Sequence, residues 1–188
     1  MTEQATLNDV EIARIAARID RPIVLVGLMG AGKSTVGRRL AGLLKSGFID
    51  SDDAIEEAAQ LTIPEIFDQF GETYFRDGER RVIARLLSEN RGVIATGGGA
   101  FIDPDTRALI LDRAIAVWID VEIDTLVERT GRRDTRPLLR QGDPKEILTR
   151  VLDEREQFYS QAHVRVSSED TPHTDTAKAI IEAIDKWL

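Results

Sequence analysis

The fold is decided by residues 27–35, which read GLMGAGKST and fit the pattern G-x-x-x-x-G-K-[ST]. In this pattern the glycines let the backbone curl so that its N–H groups point at phosphate oxygens. Lys33 adds positive charge for the outer phosphates, and the hydroxyl of Ser34 can bind Mg²⁺. An apolar, β-branched strand is predicted before the loop, at 23–26, and a helix after it, at 36–44. A strand, a glycine loop and a helix in this order predict a phosphate-binding site rather than a chance match.

Composition narrows the class of protein. The 188 residues are 42% hydrophobic, which suits one domain with an ordinary core. The absence of a long apolar run and of a secretory signal predicts a protein outside the membrane, and the absence of cysteine excludes disulfides and thiolate chemistry. A net charge of −8 disfavours nucleic-acid binding. Five arginines within 129–140, against one acid, indicate instead a small anionic ligand that is held locally.

Strands and helices alternate along the chain. Further strands are predicted at 47–50, 93–96, 114–119 and 164–166, and further helices at 53–60, 63–70, 72–89, 104–112, 123–130, 144–161 and 174–187. The alternation predicts an α/β fold in which a five-stranded parallel sheet has helices on both faces. An additional amphipathic helix is expected at 6–19, capped by Thr6 and without chemistry of its own. Ligands bind such sheets beyond the carboxyl ends of the strands, which points to 27–34, 50–52, 96–99 and the loop after 130.

Two carboxylates follow the second predicted strand. Asp50 and Asp52 can divide the work of phosphoryl transfer, because one can reach a metal through water while the other faces an acceptor hydroxyl. The alternative is that an aspartate caps the next helix, a role that suits Asp52 or Asp53. The two roles are compatible.

Two other segments also have two interpretations. Arg76 and Glu79 share a helix face, so they form either a surface ion pair or a carboxylate-binding arginine that the acid steadies. The segment alone favours the surface pair. Three consecutive glycines, 97–99, follow a strand, and this favours a close approach of main chain to a ligand over a simple tight turn.

Arginines in the last third of the chain are also ambiguous. The loop at 131–143 is rich in arginine, glycine and proline, and such a loop can close over phosphates, exclude water and neutralise charge. An ordinary solvated loop is the alternative. Arg155, on the long predicted helix, can equally be a surface residue in a lattice of ion pairs.

Taken together, these motifs resemble those of shikimate kinase. The glycine loop, Asp-x-Asp, Phe-Arg-x-x-Glu, Gly-Gly-Gly, Arg-Pro-Leu-Leu and a later Arg before Tyr occur in that family's order and at similar spacing, from about Ile23 onward. The resemblance implies a P-loop NTPase-type three-layer sandwich, like that of nucleoside-monophosphate kinases. It implies one kinase domain at 21–188 after a helical extension at 1–20, with shikimate-binding helices within about 50–90 and a lid at about 131–143.

The resemblance also implies an activity and its residues. The activity is ATP- and Mg²⁺-dependent phosphorylation of the shikimate 3-hydroxyl, in aromatic amino acid biosynthesis, by a cytoplasmic monomer. The implied catalytic residues are Lys33, Asp52 and Arg136, and the implied metal ligands are Ser34 and Asp50. The implied nucleotide contacts are Gly30, Ala31, Gly32, Lys33, Ser34, Thr35, Arg129, Arg136 and Pro172. The implied shikimate contacts are Asp52, Arg76, Glu79, Gly97, Gly98, Gly99 and Arg155.

Two other functions stay open at this point. One is a related small-molecule kinase, such as a gluconate kinase, which also needs an acceptor hydroxyl and a carboxylate-binding site. The other is a nucleotide-binding module without an acceptor. A GTP-dependent switch is disfavoured because the guanine-specifying pattern Asn-Lys-x-Asp is absent from the sequence.

Overall fold

Five parallel strands form the centre of the protein, which the computed structural model describes over residues 7–131, 142–168 and 172–188. The strands are β1 (Ile23–Val26), β2 (Phe48–Asp50), β3 (Val93–Ala95), β4 (Ile115–Asp120) and β5 (Val164–Ser167). Their order in the sheet is β2-β3-β1-β4-β5, and every neighbouring pair is parallel. The predicted five-stranded parallel sheet is therefore confirmed.

Helices connect these strands and cover the sheet. They are α1 (Asp9–Ala16), α2 (Lys33–Leu43), α3 (Ser51–Ala59), α4 (Ile63–Glu89), α5 (Pro104–Arg113), α6 (Ile123–Gly131), α7 (Pro144–Tyr159) and α8 (His173–Trp187). Within the described ranges, no helix combines the length and the apolar character needed to cross a bilayer.

The core lies around the two inner strands. Val24, Leu25 and Val26 of β1 are completely buried, as expected for a strand with helices on both faces. In register, Val24 lies beside Ile94 of β3 on one side and Ala116 of β4 on the other. Because all strands run in the same direction, their carboxyl ends meet at one edge of the sheet, where the loop after β1, the end of β2 and the turn after β3 come together.

Two predicted helix caps are wrong. Helix α1 starts after Asn8, whose side chain accepts hydrogen bonds from the N–H groups of Val10 and Glu11, while Thr6 lies outside the described residues. Helix α3 starts after Asp50, whose Oδ1 accepts from the N–H of Asp52 at 3.0 Å. The first of the two aspartates is the cap because β2 ends on it, so its backbone is still extended when the helix begins.

The predicted break between helices 63–70 and 72–89 is confirmed inside α4. Gly71 has φ 80° and ψ 177°, which is not helical and which residues with a side chain rarely adopt. The chain thus bends between the first two turns of α4 and the long remainder that carries Arg76 and Glu79.

Candidate active site

The loop after β1 is held against a neighbouring strand. Gly27 has φ 140°, and a Cβ at this position would lie 2.7 Å from the carbonyl oxygen of Ile119 in β4. Only glycine fits there. Gly30 and Gly32 also have positive φ angles, so the backbone turns back on itself before α2 begins. Helix α2 begins directly after the curled loop, so the N–H groups of its first turn lie next to the loop, as the phosphate-binding pattern predicts.

The lysine of the loop is buried within it. Lys33 is only 9% exposed, and its Nζ donates hydrogen bonds to the carbonyl oxygens of Gly27 at 2.8 Å and Leu28 at 2.7 Å. These bonds hold the ammonium group beside the concave side of the loop. A phosphate there would meet a positive charge that is already in position.

A hydroxyl and a carboxylate from two different elements meet next to this loop. Ser34 Oγ, in the first turn of α2, donates a hydrogen bond to Asp50 Oδ2, at the end of β2, over 2.5 Å. Oxygen atoms of this kind are the ligands that Mg²⁺ prefers. In the part of the chain that the structure describes, no three acidic, cysteine or histidine side chains cluster to hold a metal alone. The pair therefore fits an ion that also uses phosphate and water as ligands.

The second aspartate lies beside the glycine turn. Burial, with the negative charge of Asp50 added to it, raises the pKa of Asp52 to about 6, although Lys33 acts in the opposite direction. A Cβ on Gly97 would lie only 2.9 Å from Asp52 Oδ1. The missing side chain at Gly97 thus leaves room for the carboxylate, and the ends of β2 and β3 share one site.

The interpretation of Arg76 and Glu79 as a surface pair is wrong. Glu79 is 1% exposed, and its Oε2 accepts from Arg76 Nη1 at 2.7 Å. Burial raises the pKa of Glu79, and the hydrogen bond from Arg76 opposes that rise. A Cβ on Gly99 would lie 2.8 Å from Arg76 Nη1, so the guanidinium packs directly on the glycine turn.

Arg155 also reaches the glycine turn, so its interpretation as a surface residue is wrong as well. Its Nη1 donates to the carbonyl oxygen of Gly98 at 3.1 Å, and the side chain is half-buried. Tyr159, one turn further along α7, donates its hydroxyl hydrogen to the same oxygen at 2.6 Å. The sequence pattern included this tyrosine but gave it no role.

A cavity of about 390 Å³ opens beside Arg155, between α7 and the phosphate loop. Its lining mixes apolar and charged side chains, namely Met29, Ile147, Leu148, Arg150, Val151, Glu154 and Arg155. The space is of the size that a small polar ligand and part of a nucleotide need.

Two phenylalanines near this site were missed by the sequence analysis as contacts. The rings of Phe67 and Phe75 lie 4.6 Å apart, and the guanidinium carbon of Arg76 lies 5.1 Å from the centre of the Phe75 ring. They form an apolar wall beside Arg76. Eight residues correspond to about two helical turns, but the break at Gly71 interrupts the helix between them, so the spacing did not show that the two rings meet.

The predicted nucleotide contacts lie on the other side of the loop. Arg129 Nη1 lies 3.9 Å from the position of a Cβ on Gly32, and Pro172 immediately precedes α8. His173 was missed: its Cε1 lies 3.6 Å from the same position, and its buried Nδ1 has no hydrogen-bond partner among the described residues. Burial and then the charge of Arg129 lower the pKa of His173. The available sequence signal was that His173 directly follows Pro172, which was itself a predicted nucleotide contact.

Not every predicted residue can be located. Arg136 and residues 132–141 of the predicted lid lie outside the described residues. The remaining predicted residues converge on one edge of the sheet, with Lys33, Ser34 and Asp50 near the phosphate loop and Asp52, Arg76 and Arg155 around the glycine turn.

Comparison with known proteins gives one consistent result. A family model described as "Shikimate kinase" matches residues 29–185. The shikimate kinase of Novosphingobium aromaticivorans is 60% identical over 190 residues, covering 99% of this chain and 98% of its own. That of Rhodopseudomonas palustris is 46% identical over 187 residues, with 100% and 92% coverage. Among solved structures, the shikimate kinase from Acinetobacter baumannii in complex with shikimate superposes with a TM-score of 0.83 at 38% identity, covering 90% of this chain and 96% of that one.

Proposed function

The chain belongs to the shikimate kinase family, and we propose that its glycine turn is where the acceptor and the phosphate donor meet. The enzyme is an ATP-dependent kinase that phosphorylates shikimate, a step of the shikimate pathway. What the residues of this chain contribute is argued below from their contacts. One observation carries the proposal: Asp52, Arg76 and Arg155, from three separate elements, all contact the turn at 97–99.

Two arginines bind the acceptor. Arg76 and Arg155 pack on Gly99 and Gly98 from opposite helices, α4 and α7, and a guanidinium binds a carboxylate through two parallel hydrogen bonds. We assign the shikimate carboxylate to this pair. Glu79 holds Arg76 in place through its hydrogen bond, and Gly97 leaves room for the carboxylate of Asp52 close to the backbone.

Asp52 acts as the base for the acceptor hydroxyl. Its carboxylate accepts a hydrogen bond from the hydroxyl and takes its proton as the new oxygen–phosphorus bond forms and the bond to the ADP oxygen breaks. Because the pKa of Asp52 is raised to about 6, the carboxylate is a stronger base than an ordinary aspartate, yet it is ionised near neutral pH. The neighbouring positive charge of Lys33 limits this rise in the pKa of Asp52.

The phosphate loop binds the donor. The N–H groups of residues 30–35 surround the phosphates of ATP, and Lys33 contributes its charge to the outer ones. Arg129 and Pro172 are proposed to lie against the adenine. Arg136 is proposed to close over the transferring phosphate from the lid at 131–143.

Ser34 and Asp50 are proposed to hold Mg²⁺. Ser34 would bind through its hydroxyl and Asp50 through a water molecule, so that the 2.5 Å hydrogen bond between them aligns the two groups in advance. When bound with ATP, Mg²⁺ neutralises the charge that develops on the phosphate oxygens. The chain's own part is to position the oxygen ligands.

Three broader proposals accompany these roles. Residues 1–20 would be a helical extension, and residues 21–188 the kinase domain. The extension packs on the domain, because α1 contacts α8 and Arg18 forms an ion pair with Asp185 of α8. The enzyme would act as a monomer on a small molecule, without nucleic acid. We also propose that it works in the cytoplasm.

The direct experiment measures ADP release from ATP and Mg²⁺ with shikimate, with gluconate and with neither. We expect release only with shikimate. Faster release with gluconate would favour the related kinase, and ATP binding without acceptor-dependent release would favour the binding module.

Lys33→Ala should abolish transfer, and Arg155→Ala should raise KM for shikimate more than KM for ATP. Equal changes in both KM values would contradict the carboxylate role of Arg155.

A further inference from the structure

The carbonyl oxygen of Gly98 accepts two hydrogen bonds from the same helix. Tyr159 donates its hydroxyl hydrogen at 2.6 Å, and Arg155 Nη1 donates at 3.1 Å. The two donors are four residues apart on α7, so they lie on the same face of the helix, one above the other. One oxygen atom thus connects a neutral donor and a charged one.

The tyrosine is fixed much more firmly than the arginine. Tyr159 is completely buried, and its ring centre lies 5.9 Å from that of Trp118, which is itself buried in β4. Burial raises the pKa of its hydroxyl, against the charge and hydrogen bond of the adjacent Arg155, so the hydroxyl keeps its proton and remains a donor at any physiological pH. Arg155, in contrast, is half-buried and borders the open cavity.

The turn that carries this oxygen has no side chain to hold it. A Cβ on Gly98 would lie 3.5 Å from the backbone N of Met29 and 3.7 Å from the carbonyl oxygen of Gly27, so the turn passes close to the phosphate loop. Glycine has the largest backbone freedom of any residue, and local hydrogen bonds from Ala100 N to Gly97 O and from Ile102 N to Gly99 O constrain the turn, whereas the carbonyl of Gly98 is contacted from outside it. The hydroxyl of Tyr159 provides such a contact from the core.

We propose that Tyr159 is a positioning residue for the acceptor-binding arginine. By fixing the Gly98 carbonyl, it fixes the point to which one side of the Arg155 guanidinium is attached, and the remaining N–H groups are then aimed at the substrate carboxylate. Tyr159 itself does not touch the substrate. The inference depends on the proposed role of Arg155 and adds how that role is maintained.

The first test is Tyr159→Phe, which keeps the ring and removes only the hydroxyl. We expect KM for shikimate to rise about three- to tenfold, the loss expected for one hydrogen bond, with KM for ATP unchanged. Tyr74→Phe is the matched control, because Tyr74 is exposed and its ring stacks on that of Phe70. It should leave both KM values and the melting temperature unchanged.

A double-mutant cycle separates positioning from simple packing. If Tyr159 acts through Arg155, Tyr159→Phe should raise KM for shikimate in the wild-type background but change it less than about twofold in an Arg155→Ala background. If Tyr159→Phe only weakened packing, it would lower the melting temperature equally in the wild-type and Arg155→Ala backgrounds. It would also change KM for shikimate by the same factor in both backgrounds.

Either of two results overturns the inference: equal fold-changes in KM in the two backgrounds, or a Tyr159→Phe enzyme with wild-type KM for shikimate. Neither result would affect the proposed function, since acceptor-dependent ADP release by the wild-type enzyme is measured in the same series. If that release were absent, the proposed function would fail first, and the inference with it.

Discussion

Ser34 and Asp50 are joined by a 2.5 Å hydrogen bond although they belong to different elements, the first turn of α2 and the last residue of β2. The same aspartate also caps α3 through its other oxygen. One side chain therefore links the proposed metal position to the start of the helix that carries Asp52.

Asp50→Asn should raise the Mg²⁺ concentration needed for half-maximal activity by about tenfold or more, because it removes a charge but keeps a good helix cap. Mg²⁺ titrations of ADP release measure this. Asp103→Asn is the control, since Asp103 caps α5 in the same way, with Oδ1 accepting from Thr106 N at 2.8 Å. An equal shift in the control would contradict the metal role of Asp50.

Asp52→Asn should lower kcat by about 10²–10⁴-fold and leave ATP affinity unchanged, because it removes the base for the acceptor hydroxyl. It should also stabilise the metal-free protein. Burial raises the pKa of Asp52 to about 6, so the folded state binds more protons than the unfolded chain between the ordinary aspartate pKa and that value. Stability of the wild type thus falls as pH rises through this window.

The measurement is thermal unfolding without Mg²⁺ or nucleotide. The asparagine side chain of the Asp52→Asn variant cannot ionise, so this variant should melt a few degrees higher than the wild type at pH 7, each kcal/mol being worth about 2–4 °C in a domain of this size. The difference should shrink as the pH approaches 4. A variant that retains near-normal turnover would refute the role of Asp52 as base.

Glu79→Gln should raise KM for shikimate about tenfold, because the charged acceptor that holds the Arg76 guanidinium is replaced by an uncharged amide. Arg80→Ala provides the comparison on the same helix. Arg80 pairs with Asp77 and Asp105 on a more exposed side, where such pairs contribute about 0–1 kcal/mol, so its KM should not change. If the two variants behaved alike, the steadying role of Glu79 would be wrong.

His173→Ala should raise KM for ATP about two- to tenfold and leave KM for shikimate unchanged, because the imidazole borders Gly32 beside Arg129. His173→Asn places a polar group at nearly the same point and should recover part of the loss. The other histidine in the sequence, His163, lies immediately before β5, where its Nδ1 accepts a hydrogen bond from the N–H of Ala116, and His163→Asn serves as the control. A wild-type KM for ATP in His173→Ala would remove His173 from the nucleotide site.

His163 should make the fold sensitive to mild acid. Its Nδ1 accepts a hydrogen bond from the N–H of Ala116 at 3.0 Å, which requires the neutral ring, and burial and the charge of Arg21 lower its pKa. Below the ordinary histidine pKa of about 6.5, His163 is protonated in the unfolded chain, whereas in the folded protein its lowered pKa keeps it neutral to a lower pH. The contribution of His163 to stability should therefore fall as pH falls from 7 to 5, opposite in sign to the contribution of Asp52 below pH 6.

Melting temperatures across that range test this expectation. His163→Asn keeps an acceptor but cannot take up a proton in this range, so its melting temperature should fall less than that of the wild type between pH 7 and 5. Parallel curves for the two proteins would assign the acid sensitivity to other groups.

The order of elements was predictable because its causes are local. The alternation of apolar runs and helical repeats gave all five strands within about two residues, and the break at Gly71 was visible as a change of phase between two helical patterns. Capping was less predictable. Asn8 and Asp50 are caps, rather than Thr6 and Asp52 or Asp53, because the cap is set by where the preceding backbone stops being extended or begins to turn.

The sequence by itself determined the phosphate loop, because its geometry depends on a few consecutive residues and the helix that follows. Only the tertiary structure decided that Arg76 and Glu79 form a buried pair and that Arg155 and Tyr159 share the Gly98 carbonyl. It also brought His173 next to Gly32. These contacts join residues that are far apart in the chain, and burial arises only when distant segments pack, so no local pattern could specify them.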